Sequence, residues 1–250
     1  MTELLYQRDA YLRKFEATVV DRCEGGVVFD RTAFYPGGGG QQPDRGTLYL
    51  GDQSRSVTGD QSRSVTGFRW ENDALVHLVD GEPPPVGTII RGEIDWEFRY
   101  RMMRTHTALH LLCGVIWREY GAQVTGGQMY PDRARMDFSL DQFGPERVRR
   151  IEARVNEEIA AGRPVRVKFL PREEAFQVPD LIRTRVNLLP PTITMVRIVE
   201  IEGVDLQADG GTHVANTREV GGVRIVKTEN KGKVNKRLEI VLVDSPVVAT

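Results

Sequence analysis

Residues 101–120 read RMMRTHTALHLLCGVIWREY. Met102, Leu109, Leu112, Val115 and Ile116 recur at helical spacing, so a helix is expected here. The residues before it have a different pattern. Short apolar runs at 17–20 (ATVV), 26–29 (GVVF), 75–79 (LVHLV) and 88–90 (TII) are separated by Gly, Asp and Pro. Many short strands at close spacing predict a small barrel or sandwich. Pro83, Pro84 and Pro85 mark a stiff connection. Beyond residue 120 a second helix is expected over 145–161, with Pro145 in its first turn and Gly162 as its stop. Strands are expected at 165–167, 195–198, 223–226 and 238–242. Strands mixed with helices in this way give an α+β class.

The helix over 101–120 carries HTALH at 106–110, and a hundred residues later DGGTH occupies 209–213. The chain has four histidines, and three lie in these two pairs. His106 and His110 are one helical turn apart on one face, which lets two imidazoles approach one ion. Asp209 and His213 flank two glycines that let the backbone turn tightly. Three imidazoles and one carboxylate make a chemically sensible zinc set. The first pair lacks the Glu after the first His that metalloproteases use as a base; Thr107 stands there instead. Cys113 lies too far along the helix axis to join His106 and reads as a packing residue. His77 falls outside both pairs and reads as structural.

Composition narrows the class. The chain has 250 residues, 28% of them charged, with a net charge of −1. It is no bulk polycation, so nucleic-acid contact has to come from local basic clusters. One cluster is Arg99, Arg101 and Arg104. Another runs over 224–237, with six basic residues against one acidic. Two cysteines fit a reducing, cytoplasmic setting better than a disulfide framework. No apolar run reaches membrane-spanning length. The glycine-rich stretch 37–40 lacks the Gly-Lys-Ser/Thr ending of a P-loop, so it gives no support for ATP binding. An octapeptide, GDQSRSVT, occurs at 51–58 and again at 59–66. Two polar copies cannot build a solenoid and read as a duplication in an exposed hairpin or loop.

Taken together, five stretches resemble the AlaX-type alanyl-tRNA editing proteins, freestanding relatives of the editing domain of alanyl-tRNA synthetase. They are 34–41 (FYPGGGGQ), 95–112, 134–138 (ARMDF), 205–217 (DLQADGGTHVANT) and 229–233 (ENKGK). The resemblance covers most of the chain and is closest to the medium-length members. It implies a β-barrel domain of translation-factor type over 1–93, holding the glycine-rich loop, and an α+β metal-binding editing domain over 94–250. It also implies hydrolysis of the ester that joins a wrong amino acid, serine or glycine, to alanine tRNA. A synthetase pocket built for alanine cannot strongly reject either one, so a second site must remove them. Alternative readings are a tRNA-binding module without catalysis, or a metal-dependent hydrolase of another small ester.

In the family's pattern the zinc ligands are two histidines, a cysteine and a histidine. They fall here on His106, His110, Asp209 and His213, with Asp209 in place of the cysteine. One Zn2+ per chain is implied, and the harder oxygen donor should weaken discrimination against other divalent ions. Asp209 either completes a four-ligand site or stands off and accepts a water's proton. Thr105, Thr107, Thr125, Gln207 and Thr212 are candidates for reading a serine hydroxyl. Gly38 and Gly39 are candidate pocket residues from the glycine-rich loop. Arg104, Lys231, Lys233, Lys236 and Arg237 are candidate contacts to tRNA phosphates.

Overall fold

The computed structural model describes residues 2–50, 62–141, 144–185, 189 and 191–244. The class is α+β, dominated by sheet. The chain divides into two compact units: Met1–Gly38 with Gln42–Tyr100, and Gly39–Gln41 with Arg101–Thr250.

The first unit contains β1 (Glu3–Leu4), β2 (Lys14–Cys23), β3 (Gly26–Phe29), β4 (Arg31–Thr32), β5 (Gly46–Leu50), β6 (Ser62–Glu71), β7 (Ala74–Val79) and β8 (Ile89–Ile94). Six of these strands pair in the order β2-β3-β7-β6-β5-β8, and β8 pairs back with β2, so the sheet closes on itself as a barrel. Strand alternation explains the interior. Phe15, Ala17 and Val19 of β2 point inward with Val27, Phe29, Leu48, Val65 and Ile90. His77 is buried among the rings of Phe29, Phe34 and Phe68, and its Nε2 lies 2.9 Å from Thr32 Oγ1. Arg99 is fully buried in an ion pair with Asp44 and donates to the carbonyls of Ala10 and Ala33. Its place in the basic cluster was therefore misleading: a guanidinium saturated by internal acceptors has nothing left for a phosphate.

The polar octapeptide lies partly outside the described residues, which resume at Ser62. The end of its second copy, 62–66, is not loop but the start of β6, paired with β5. Its alternation was faint because most of β6 is half-exposed or exposed.

Helix α1 (Trp96–Tyr120) begins five residues before the apolar periodicity does. Asp95 explains this early start, since its carboxylate accepts the Phe98 amide at 3.1 Å as an N-cap. From Met102 to Ile116 the helix is buried on nearly all sides, which accounts for its apolar residues extending beyond one stripe. The second unit continues with β9 (Val124–Met129), β10 (Arg133–Phe138), α2 (Pro145–Ala161), β11 (Val165–Pro171), α3 (Arg172–Ala175), β12 (Met195–Ile201), β13 (Asp205–Ala208), β14 (Gly222–Asn230) and β15 (Lys236–Val243). Two antiparallel sheets result, one ordered β14-β15-β10-β9 and one β11-β12-β13. Helix α2 ends at Gly162 in a left-handed C-cap, φ 68° and ψ 47°. Asn156 of α2 exchanges two hydrogen bonds with the backbone of Val223, docking the helix on β14. No described helix is long and apolar enough to cross a membrane.

Candidate metal centre and cavity

Helix α1 and the segment after β13 bring both motifs together within the second unit. Among the described residues, His106, His110, Asp209 and His213 form a possible metal-binding group, with one donor atom from each lying within 4.8 Å of the others. The three imidazoles cluster with centroids 4.1 to 4.9 Å apart. The Asp209 carboxylate faces them. Its Oδ1 is 3.5 Å from His106 Nε2 and 4.0 Å from His110 Nε2, and its Oδ2 is 3.1 Å from His213 Nε2. The Gly211 amide donates to Asp209 Oδ2 at 2.7 Å, and Arg197 donates to the Asp209 carbonyl at 2.8 Å.

Each imidazole has its other nitrogen held from behind. His106 Nδ1 lies 2.9 Å from Gln41 Oε1, His110 Nδ1 2.8 Å from Asp205 Oδ2, and His213 Nδ1 3.2 Å from Thr107 Oγ1. Gln41 and Asp205 accept at Nδ1 of His106 and His110, which turns each Nε2 toward the common centre with its lone pair free, whereas His213 Nε2 donates to Asp209 Oδ2 at 3.1 Å. Donor chemistry therefore fits a divalent ion. Three nitrogens and one oxygen match zinc's preferences, and their spread of up to 4.8 Å has to close by about 1.5 Å to reach the roughly 3.3 Å separations of a tetrahedron with bonds near 2 Å.

Electrostatics points the same way. Burial, reinforced by His213, pushes His106 well below the ordinary 6.5, and burial lowers His213 to about 4. His110 moves up instead: burial opposes its charge, but the hydrogen bond to Asp205 and that carboxylate's field prevail. For Asp209, burial resists ionisation, yet attraction to His106 and the hydrogen bond from His213 hold it well below the carboxylate range. The site thus presents an anionic oxygen beside imidazoles that mostly resist protonation, as metal ligation requires.

A cavity of about 840 Å³ opens on this group, with His106, His110 and Asp209 in its wall. Gly39, Gly40, Thr125 and Gln207 also line it, together with apolar Met136 and Leu181. Gly38 does not line it; its carbonyl accepts from Tyr35 Oη at 3.0 Å. Gly40 is pinned to β9: its carbonyl accepts from the Met129 amide and from Gln128, and a Cβ there would meet Gly127 O at 2.9 Å. Thr105 is buried away from the cavity, its hydroxyl donating to Pro131 O at 3.3 Å. Thr107 orients His213, and Thr212 accepts from Gln41 at 2.8 Å. Thr125 donates to Asn235 at 2.7 Å. Burial pushes the Cys113 thiol up to about 12; it is a neutral part of the wall, 3.5 Å from Gln207 Nε2.

The basic candidates separate. Arg104 donates to Val220 O and pairs with Asp244. Lys236 is buried, its ammonium bound to the carbonyls of Gly232 and Lys233. Arg237 grips Asp137 with bonds of 2.7 and 2.8 Å. Lys231 is exposed and paired with Glu229 at 2.9 Å, and Lys233 is exposed. Gln41, Asp205, Arg183 and Arg197 were not singled out beforehand. Gln41 and Asp205 carried a faint signal, each opening or closing one of the quoted motifs; the two arginines carried none.

The family of this chain follows from how far its relatives match. An alanyl-tRNA editing protein, AlaX-M, of Saccharolobus solfataricus is 42% identical over 241 residues, covering 95% of this chain and 98% of the relative. The AlaX-M protein of Methanosarcina barkeri is 43% identical, over 98% of this chain and all of the relative. This chain belongs to the AlaX-M family. An alanine–tRNA ligase of Ignicoccus hospitalis is 37% identical over 91% of the chain, which spans 24% of that enzyme. Two family models match parts of the chain: the threonyl and alanyl tRNA synthetase second additional domain over residues 196–239, and class II (A) tRNA synthetases over 8–98. The first match covers Asp209 and His213.

Proposed function

We propose that this AlaX-M protein is a trans-editing hydrolase that deacylates mischarged alanine tRNA, taking seryl and glycyl esters and sparing alanyl. The observation that carries the reading is that His106, His110 and Asp209 form part of the wall of the cavity. The four-residue group would hold Zn2+, with Asp209 as a direct ligand. Held by all four residues, a zinc ion there would orient the substrate and fix the local structure, since a four-ligand tetrahedral site keeps no open position for a water. The cavity's volume exceeds what an amino acid alone needs and suits an amino acid with its ribose and base. Thr125 and Gln207 offer polar atoms to a serine hydroxyl, while Met136 and Leu181 exclude water. Gly39 and Gly40 bring backbone to the wall without side-chain bulk. Lys231 and Lys233 suit phosphates of the acceptor end, whereas Arg104, Lys236 and Arg237 serve the fold. The barrel is taken as the translation-factor type, with a 1–93 barrel domain and a 94–250 editing domain, acting in the cytoplasm.

The test is a deacylation assay with seryl-, glycyl- and alanyl-charged alanine tRNA, run beside a metal analysis. Release of serine or glycine with alanine retained is the expected outcome. Equal hydrolysis of all three, or none with tRNA still bound, would sink the proposal.

A further inference from the structure

Asp205 is fully buried at the start of β13, and nothing in the reaction proposed above uses it. Its two oxygens accept three donors. Oδ2 takes His110 Nδ1 and Gln207 Nε2, each at 2.8 Å, and Oδ1 takes Arg183 Nη1. Asp205 is not itself in the donor group, because it meets His110 on the ring edge opposite the nitrogen that faces Asp209. Arg183 is nearly buried, its guanidinium 5.7 Å from the Trp117 ring centre. Both Arg183 and Gln207 also line the cavity.

We propose that Asp205 is a positioning residue for His110, locked by Arg183 and Gln207, and that this network ties the cavity wall to the metal ligands. An imidazole on a helix can spin about its own side-chain bonds. A charged acceptor at Nδ1 removes that freedom and strengthens the lone pair at Nε2. Arg183 and Gln207 do the same one layer further out. They engage one carboxylate oxygen each, so Asp205 is held from both sides. Gln41 and Thr107 give His106 and His213 neutral partners, so His110 is the one imidazole of the three backed by a charge.

The inference rests on reading the four-residue group as a metal site, and its test reads metal affinity rather than turnover. Metal-free protein is titrated with zinc against a chromophoric chelator, and its thermal midpoint is recorded. Asp205→Asn is expected to weaken zinc binding about 10- to 100-fold. The control is Asp137→Asn, which breaks a carboxylate–guanidinium pair, with Arg237, outside the donor group. It should lower the midpoint of metal-free protein and leave zinc affinity unchanged. If Asp205→Asn leaves Arg183 stranded and does not fold, Asp205→Asn with Arg183→Met removes both buried charges together and reads the same quantity. Zinc affinity within threefold of wild type in a folded Asp205 variant overturns the inference alone. Zinc absent from the wild-type chain overturns the metal reading, and this inference with it.

Discussion

Replacing Gly211 with alanine should disable the site through a single methyl group. A Cβ at this position would sit 2.5 Å from Gln41 Oε1 and 2.6 Å from His106 Nδ1, and closer still to His106 Cε1. Ordinary contact begins near 3.4 Å, so the ring or the loop must give way by about 1 Å. Neither yields freely. His106 sits in a buried helix with Gln41 bound at its Nδ1, and the Thr212 amide donates to the same Gln41 oxygen at 3.1 Å. Overpacking of this kind costs about 1–3 kcal/mol, or a fall of roughly 2–12 °C in melting temperature for a chain of this size. A displacement near 1 Å at a reacting group costs on the order of 100-fold in rate. Gly210 provides the internal control. A Cβ there meets nothing within 4 Å, so Gly210→Ala should stay within about 0.5 kcal/mol of wild type. Single-turnover deacylation of seryl-tRNA and thermal melts, run on both variants, decide the matter. Equal rates and melting temperatures in the two alanine variants would refute the steric argument.

Asp209→Ala should reduce both bound metal and deacylation, the metal affinity by more than the about 10- to 100-fold an outer partner costs; full occupancy with lost activity would make Asp209 the base instead. Lys233→Ala should raise KM for charged tRNA and lower the slope of log affinity against log salt by about one. Lys236→Ala should leave that slope alone and lower stability, because its ammonium ties the turn carbonyls of Gly232 and Lys233. His77 makes the barrel acid-sensitive. Burial lowers it from 6.5 to about 3, outweighing the nearby Val27 and Leu75 backbone groups. Between those values the unfolded chain binds a proton that the folded one refuses, so stability falls as pH drops from 6.5 toward 3, by about 1.4 kcal/mol per unit. Urea melts from pH 6 to pH 4 should show that much less slope in His77→Gln; an unchanged slope would mean His77 contributes nothing.

The candidate ligands were legible because metal chemistry needs particular atoms at short spacing. Two imidazoles one helical turn apart, and a carboxylate and imidazole flanking two glycines, are visible without a fold. Helix α2 was legible for a similar reason, since Pro145 and Gly162 mark its ends through backbone constraints each carries alone. Strands β9 and β13 were harder. β9 holds two glycines in six residues, and β13 has four residues with little alternation. The basic residues were not separable beforehand, because charge in sequence says nothing about partners. Arg99, Arg104, Lys236 and Arg237 spend their donors on Asp44, Val220, the 232–233 turn and Asp137, all chosen by folding. Gln41, Arg183 and Asp205 were missed as supports because a positioning role is defined by the neighbour a side chain meets.

Helix α1 places a glycine where helix propensity alone argues against one. Gly114 lies one turn beyond His110, in the interior of a long helix, where alanine would be worth about 1 kcal/mol more. What opposes alanine is the backbone crossing that face. A Cβ at Gly114 would stand 2.7 Å from the Val204 carbonyl oxygen and 3.2 Å from the Asp205 Cβ. That carbonyl belongs to the turn entering β13, so it cannot swing aside as a side-chain tip can. The missing methyl group therefore sets how closely the second motif's strand approaches the helix of the first. Asp205 is at that crossing, and its 2.8 Å contact with His110 depends on the same approach. Gly211 plays the matching part at the other end of the segment, against His106. Two small residues, one on the helix that carries the first motif and one within the second, fix the separation of two chain segments about a hundred residues apart, and the imidazoles and carboxylate meet because nothing larger stands between them.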